Sequence, residues 1–206
     1  MPVPTELIAG VAAAHARLHV TLAGIDEATA RQPSRLPGWS VGHLLTHLAR
    51  NADSIVRRLT AAADGRLVEQ YPGGAAGRAA EIEAGAHRPA VELAADLRSA
   101  DAAVERAFDA LPAEVWDRPV LRFGGQDGPQ GNRVPAATLP FSRWREVEVH
   151  HVDLALAYTP ADWPAELVER MLPDLLGRLP QRADRAALAA WALDRGPAPV
   201  LMPWGN

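Results

Sequence analysis

The 206-residue chain contains no cysteine. That excludes disulfides, a thiolate metal site and a cysteine nucleophile, so any thiol chemistry must draw on a thiol from outside. An excess of basic charge is also lacking. Lys plus Arg number 21 against 25 Asp plus Glu, a formal net charge of −4, and no basic cluster marks a nucleic-acid surface. No apolar run approaches the ~18 residues of a membrane span. The opening residues, MPVPTELIAG, lack the basic-then-apolar order of a signal peptide, and a cytoplasmic location is expected. The length is enough for one domain, or one large and one small, with a real core.

What is present is helical periodicity. Thr5 to about Arg31 reads as one helix, with Leu7, Val11, Leu18, Leu22 and Ile25 sharing a face. His15 and His19 lie at the edge of that face and beyond it, and are read as partly buried surface histidines. After the turn-rich link from Gln32 to Gly38, Ser40 is a plausible N-cap for a second helix, with Trp39 and Leu44 placed to form a hydrophobic staple. Leu44, Leu48, Ile55 and Leu59 make its core stripe, and His47 borders that stripe on the side of Asn51 and Ser54. Asp64 to Gly77 is glycine-rich and reads as a loop or broken helix near a pocket, with His87 following a loop. Pro89 then opens a third helix running to about Ala110. From Leu111 to Leu139 the helical period disappears. A short hairpin is expected there, with weak alternation over Val120 to Phe123 and turn chemistry from Gly124 to Pro129.

The fourth helix, Phe141 to Tyr158, is stopped by Thr159-Pro160. At ~100° per residue, Glu146, His150 and Asp153 fall into one stripe flanked by Val147, Leu154, Val149 and Leu156. A carboxylate and an imidazole inside an apolar face cost several kcal/mol, by order of magnitude, unless satisfied. A metal satisfies both. Glu148 and His151 form the competing pair, on the face read as solvent-exposed. Bundles build metal sites from side chains on facing helices, and His47 is the best-placed third ligand. Two imidazoles and one carboxylate leave a coordination position open, as catalytic zinc sites do; iron, manganese and nickel suit the same donors. The expected fold class is mainly α, a four-helix bundle over residues 1–158 with a small C-terminal region, 159–206, packed on it. Two shorter helices, Pro164 to Leu176 and Asp184 to Arg195, and an extended Pro-rich end make up that tail.

The segments PGWSVGHLLTHLARNADS (Pro37 to Ser54) and RWREVEVHHVDL (Arg143 to Leu154) resemble the paired signatures of the mycothiol-dependent maleylpyruvate isomerase family, within the DinB-like metalloenzyme superfamily of helical bundles. In the tail, AAWALDRG (Ala189 to Gly196) and LMPWG (Leu201 to Gly205) are similar to the family's closing motifs. The resemblance implies that His47, Glu146 and His150 hold a divalent metal, usually zinc, and that mycothiol is the external thiol. It further implies addition of the thiolate to the cis double bond of maleylpyruvate, rotation, and elimination to fumarylpyruvate. Asn51 and Ser54 are candidates to contact the thiol cofactor, and His43 or Asp153 to orient a ligand. Arg50, Arg88 and Arg195 are candidates to anchor a dicarboxylate-like substrate, since guanidinium forks match carboxylates. Leu193-Asp194 depart from the family's small polar residue and glycine before Arg195. Two other classes fit the same residues: a metal-dependent mycothiol S-transferase acting on another electrophile, and a non-catalytic metal- or ligand-binding bundle. No nucleic acid or membrane partner is expected.

Overall fold

The computed structural model describes residues 2–122 and 132–202. Its helices are α1 (Thr5–Leu22), α2 (Glu27–Arg31), α3 (Val41–Ala63), α4 (Gly74–Ala86), α5 (Ala90–Ala110), α6 (Leu139–Asp153), α7 (Ala165–Arg182) and α8 (Arg185–Ala192). One two-stranded antiparallel sheet pairs β1 (Pro119–Leu121) with β2 (Arg133–Pro135), Val120 opposite Val134. None of the described helices is long and apolar enough to cross a membrane.

The four long helices of the first 162 residues form the bundle. α3 packs most extensively on α5, α1 on α6, and α3 also meets α4 and α6. The core is the sum of their apolar stripes: Val11, Leu18 and Leu22 from α1, Leu44, Leu48, Ile55 and Leu59 from α3, Leu93, Leu97 and Val104 from α5, and Leu139 and Val147 from α6. Burial of these surfaces at roughly 25 cal/mol per Å² drives assembly. α1 approaches α6 unusually closely. A Cβ on Gly10 would lie 2.5 Å from the Trp144 ring, so only glycine admits that contact.

Several elements differ from the periodicity reading. The first helix is two, broken at Ala23 to Asp26, because Asp26 caps a new start by accepting from the Thr29 amide. Gly74–Ala86 is helical, so His87 follows a helix and not a loop. That helix buries only Ile82, Gly85 and Ala86, too little apolar surface to produce a readable stripe. α6 ends at Asp153, earlier than Thr159-Pro160, with Ala155 in the left-handed region at φ 59°. The chain after it doubles back, bringing the Tyr158 ring 3.8 Å from that of His151. β1 and β2 form the expected hairpin, whose turn at Gly124 to Pro129 lies outside the described residues.

The chain divides into two compact units, residues 1–162 and 163–206. In the second, α7 extends past Leu176 to Arg182 with Pro173 and Pro180 inside it. α8 ends at Ala192 in a Schellman arrangement: Arg195 N–H donates to the Ala190 carbonyl, and Asp194 adopts φ 57°. This is the position where the sequence departs from a glycine, and an Asp takes the left-handed conformation there.

Candidate metal centre

Ser40 starts α3 by accepting from the His43 amide, while His43 Nδ1 accepts from Ser40 N–H in return, a reciprocal cap. The rest of α3 follows in register, and His47, one turn on, is 2 % exposed and points at α6. There His47 Nε2 lies 2.7 Å from Glu146 Oε1, and His150 Nε2 lies 3.5 Å from the same oxygen. One donor atom from each of the three falls within 4.8 Å of the others. The two imidazoles meet edge to face, with centroids 4.9 Å apart. The donor set, two nitrogens and one oxygen, suits a divalent transition ion, so the residues fit the group.

The surroundings orient these donors. His150 Nδ1 is held by Asp153 Oδ2 at 2.9 Å, which turns Nε2 toward Glu146 in the carboxylate–histidine arrangement typical of metal-ligating imidazoles. His47 packs against Trp39, whose ring also stacks on His43, and Arg78 Nη2 stands 3.3 Å from His47 Nδ1. Burial pulls the His47 imidazole down to about 4, against the raising effect of Glu146. Burial likewise lowers His150, but Asp153 and Glu146 outweigh it and raise the group to about 9. For Glu146, burial favours the neutral acid, yet the two histidines hold the carboxyl well below its usual range. The pair thus favours an ionised carboxylate beside a protonated His150, and a metal ion held there would take the place of that proton.

The family model for the mycothiol maleylpyruvate isomerase N-terminal domain matches residues 11–155. The chain belongs to this family. Its fold is similar to the crystal structure of the mycothiol-dependent maleylpyruvate isomerase, with 26% identity and a TM-score of 0.74 over 82% of this chain and 67% of that one. A histidine-to-alanine mutant of the isomerase gives a TM-score of 0.74 at 25% identity over the same shares. No curated protein matches the chain significantly. The fold is thus the mainly α, DinB-like four-helix bundle.

Within this family frame, the other residues singled out from sequence fall into distinct places. Asn51 and Ser54 are buried: Asn51 Oδ1 accepts from Arg143 Nη1 at 2.9 Å, and Ser54 Oγ donates to the Asn51 carbonyl at 2.7 Å. Arg50 and Arg88 both engage one carboxylate, Asp96, at 2.8 and 2.6 Å, and so tie α3 to the start of α5. Arg195 lies in the second unit, its guanidinium donating to the Asp194 carbonyl at 3.1 Å.

Two expectations are overturned. Glu148 and His151 do not face solvent; they are 0 % and 1 % exposed. Glu148 accepts from Arg17 and Tyr158, and His151 Nε2 sits 2.7 Å from Thr21 Oγ1, because α1 covers that side of α6. His15, read as a partly buried surface histidine, is 1 % exposed within a polar core. There Arg143 donates to His15 Nε2, the Leu48 carbonyl and Asp101, while Asp101 also meets His19.

Sequence reasoning missed Arg78 and Arg58. Arg78 lies 5.6 Å from both the Trp39 and Tyr71 ring centroids, and it sits on α4, the helix without a readable stripe. Arg58 is 4 % exposed, and burial lowers its guanidinium to about 10 although Tyr71 and Glu146 favour the charged form. Among the described residues, no carboxylate lies within ion-pair distance of either arginine. The signal for Arg58 was its spacing: His47, Asn51, Ser54 and Arg58 recur along one side of α3.

Proposed function

We propose that the protein is a metal- and mycothiol-dependent cis–trans isomerase of the maleylpyruvate type, acting in the cytoplasm. The observation that carries this reading is the convergence of His47, Glu146 and His150 from two helices of a chain that belongs to the family. These three residues hold the ion, zinc being the best match to two imidazoles and one carboxylate. When bound, the ion stabilises the thiolate form of the thiol and polarises a substrate oxygen. Asp153 fixes the ring of His150 and accepts its Nδ1 proton.

The substrate class is an unsaturated oxo acid carrying two carboxylates, and such a substrate needs fixed cations. The chain has no lysine, so a permanently charged side chain able to meet a carboxylate there is a guanidinium. Arg78 is the assignment favoured by position, because it stands beside His47 and between two aromatic rings. Arg50 and Arg88 share the Asp96 carboxylate, with Asp53 also beside Arg50, so these two guanidinium groups are less available to a substrate than Arg78. With no cysteine, the chain supplies no sulfur nucleophile of its own.

The test is turnover of maleylpyruvate by the metal-loaded protein, with and without mycothiol, while free thiol is titrated. Expected are strict dependence on the thiol, no net thiol consumption, and a KM raised about 10-fold or more by Arg78→Met but not by Arg50→Met. Stoichiometric loss of thiol would reassign the protein as an S-transferase. Absence of both activities would leave a metal-binding bundle and end the proposal.

A further inference from the structure

The arrangement at the metal centre occurs a second time. α4 carries Glu83, and four residues on stands His87, the same Glu-x-x-x-His order as Glu146 and His150. Both face a histidine on α3, here His43, one turn before His47. α4 reaches this position because Gly42 lets it close on α3. A Cβ there would sit 2.3 Å from the Ala86 carbonyl oxygen.

We infer that His43, Glu83 and His87 form a second divalent-cation site. His43 Nε2 lies 3.3 Å from Glu83 Oε2, and His87 Nε2 lies 3.5 Å from Glu83 Oε1. Ligands ~2.05 Å from a tetrahedral ion stand ~3.3 Å apart, so both separations are close to what an ion between them requires. The three donor atoms fall within 4.8 Å of one another, as in the first cluster. His43 is 8 % exposed and oriented from behind. Its Nδ1, which accepts from Ser40 N–H, also lies 2.7 Å from Ser40 Oγ, and an ion taking the Nε2 lone pair would shift the ring to the tautomer whose Nδ1 proton that hydroxyl accepts. Trp39 stacks on one side of the ring, and His87 meets it edge-on with centroids 5.5 Å apart.

Two imidazoles with one carboxylate select zinc, cobalt or nickel over magnesium or calcium, which prefer oxygen. The outer site is the weaker one. The Glu83 and His87 side chains are 70 % and 67 % exposed, and binding must immobilise both, whereas the inner donors are already held by packing. The site does not depend on the isomerase reading, since none of its three residues belongs to the inner cluster.

Equilibrium dialysis of the 206-residue chain against rising zinc, with metal measured by elemental analysis, tests it. Expected are two equivalents per chain, the second weaker. His87→Ala and Glu83→Gln should each remove the weaker equivalent alone, and His150→Ala the tighter one alone. Both outer positions are exposed, so these variants keep the fold. If a single equivalent binds and His87→Ala abolishes it, the outer site stands and the inner assignment falls. Saturation at one equivalent that His150→Ala abolishes, or two equivalents retained by His87→Ala, would overturn the inference.

Discussion

Glu146 and His150 face α3 from one side of α6, while Glu148 and His151 face α1 from the other. The residue types are the same and the positions are offset by one or two. On the α1 side every acid is answered by a donor: Arg17 and Tyr158 reach Glu148, and Thr21 and the Tyr158 ring close over His151. On the α3 side, acid and imidazole are answered by a further imidazole, His47, which shares their need for a cation. What separates a metal centre from a structural polar contact is therefore the residue across the interface, and not the Glu-His pair itself. The first arrangement stabilises the bundle with its own hydrogen bonds; the second offers the donor set that the proposed ion would complete.

The largest contrast should appear in metal content. His150→Ala removes one of three donors and should leave less than a tenth of the inner-site metal after dialysis, with turnover falling about 100-fold or more. His151→Ala, one residue on, should retain it. Equal metal loss in the two variants would erase the distinction between the faces. Elemental analysis of the inner site, made in the His87→Ala background, is the direct measurement.

The next effect is on stability and runs the other way. Glu148→Ala leaves the Arg17 guanidinium and the Tyr158 hydroxyl without their shared acceptor inside the α1 interface. Breaking a buried pair costs ~3–5 kcal/mol, and the partial exposure of Arg17 brings the expectation down to about 2–3 kcal/mol. Urea denaturation should show this loss while metal content stays unchanged. A cost below about 0.5 kcal/mol would mean that the α1 face of the helix contributes little to holding the bundle together.

This contrast also explains what was legible in the sequence. The period of 3.6 placed Glu146 and His150 one turn apart on α6, and the strong apolar stripe of α3 placed His47 at its border. A helical wheel assumes one buried face. α6 is covered by α1 as well as by α3, so Glu148 and His151 were assigned to solvent when their partners lie far away in sequence. His15 escaped for the same reason: what buries it is Arg143 and Asp101, from two other helices. α4 was hidden because alanine and glycine pack closely without a hydrophobic signal, and with it went Arg78, Glu83 and His87. The break between α1 and α2 depended on one Asp side chain turning back to cap Thr29.

The smallest effect, the pH dependence of stability, sharpens the comparison from the α1 side. Burial lowers the His151 imidazole to about 4, more than the raising effect of Glu148 recovers. An unfolded histidine titrates near ~6.5. Between those two values the unfolded chain binds a proton that the folded chain does not, so stability falls as pH falls through this window and the contribution is fully present only above it. For a side chain 1 % exposed the contribution is on the order of 2–3 kcal/mol. His15, lowered to about 3 by burial and by Arg143, adds a slope of the same sign that persists in any His151 variant. His151→Gln keeps a partner for Thr21 and removes the titrating group. The stability difference between wild type and this variant, measured by urea denaturation, should therefore shift in the variant's favour from pH 7 to pH 5, by about 1–2 kcal/mol. A difference that stays constant across that range would show that His151 takes up its proton without disturbing its place between Thr21 and Tyr158.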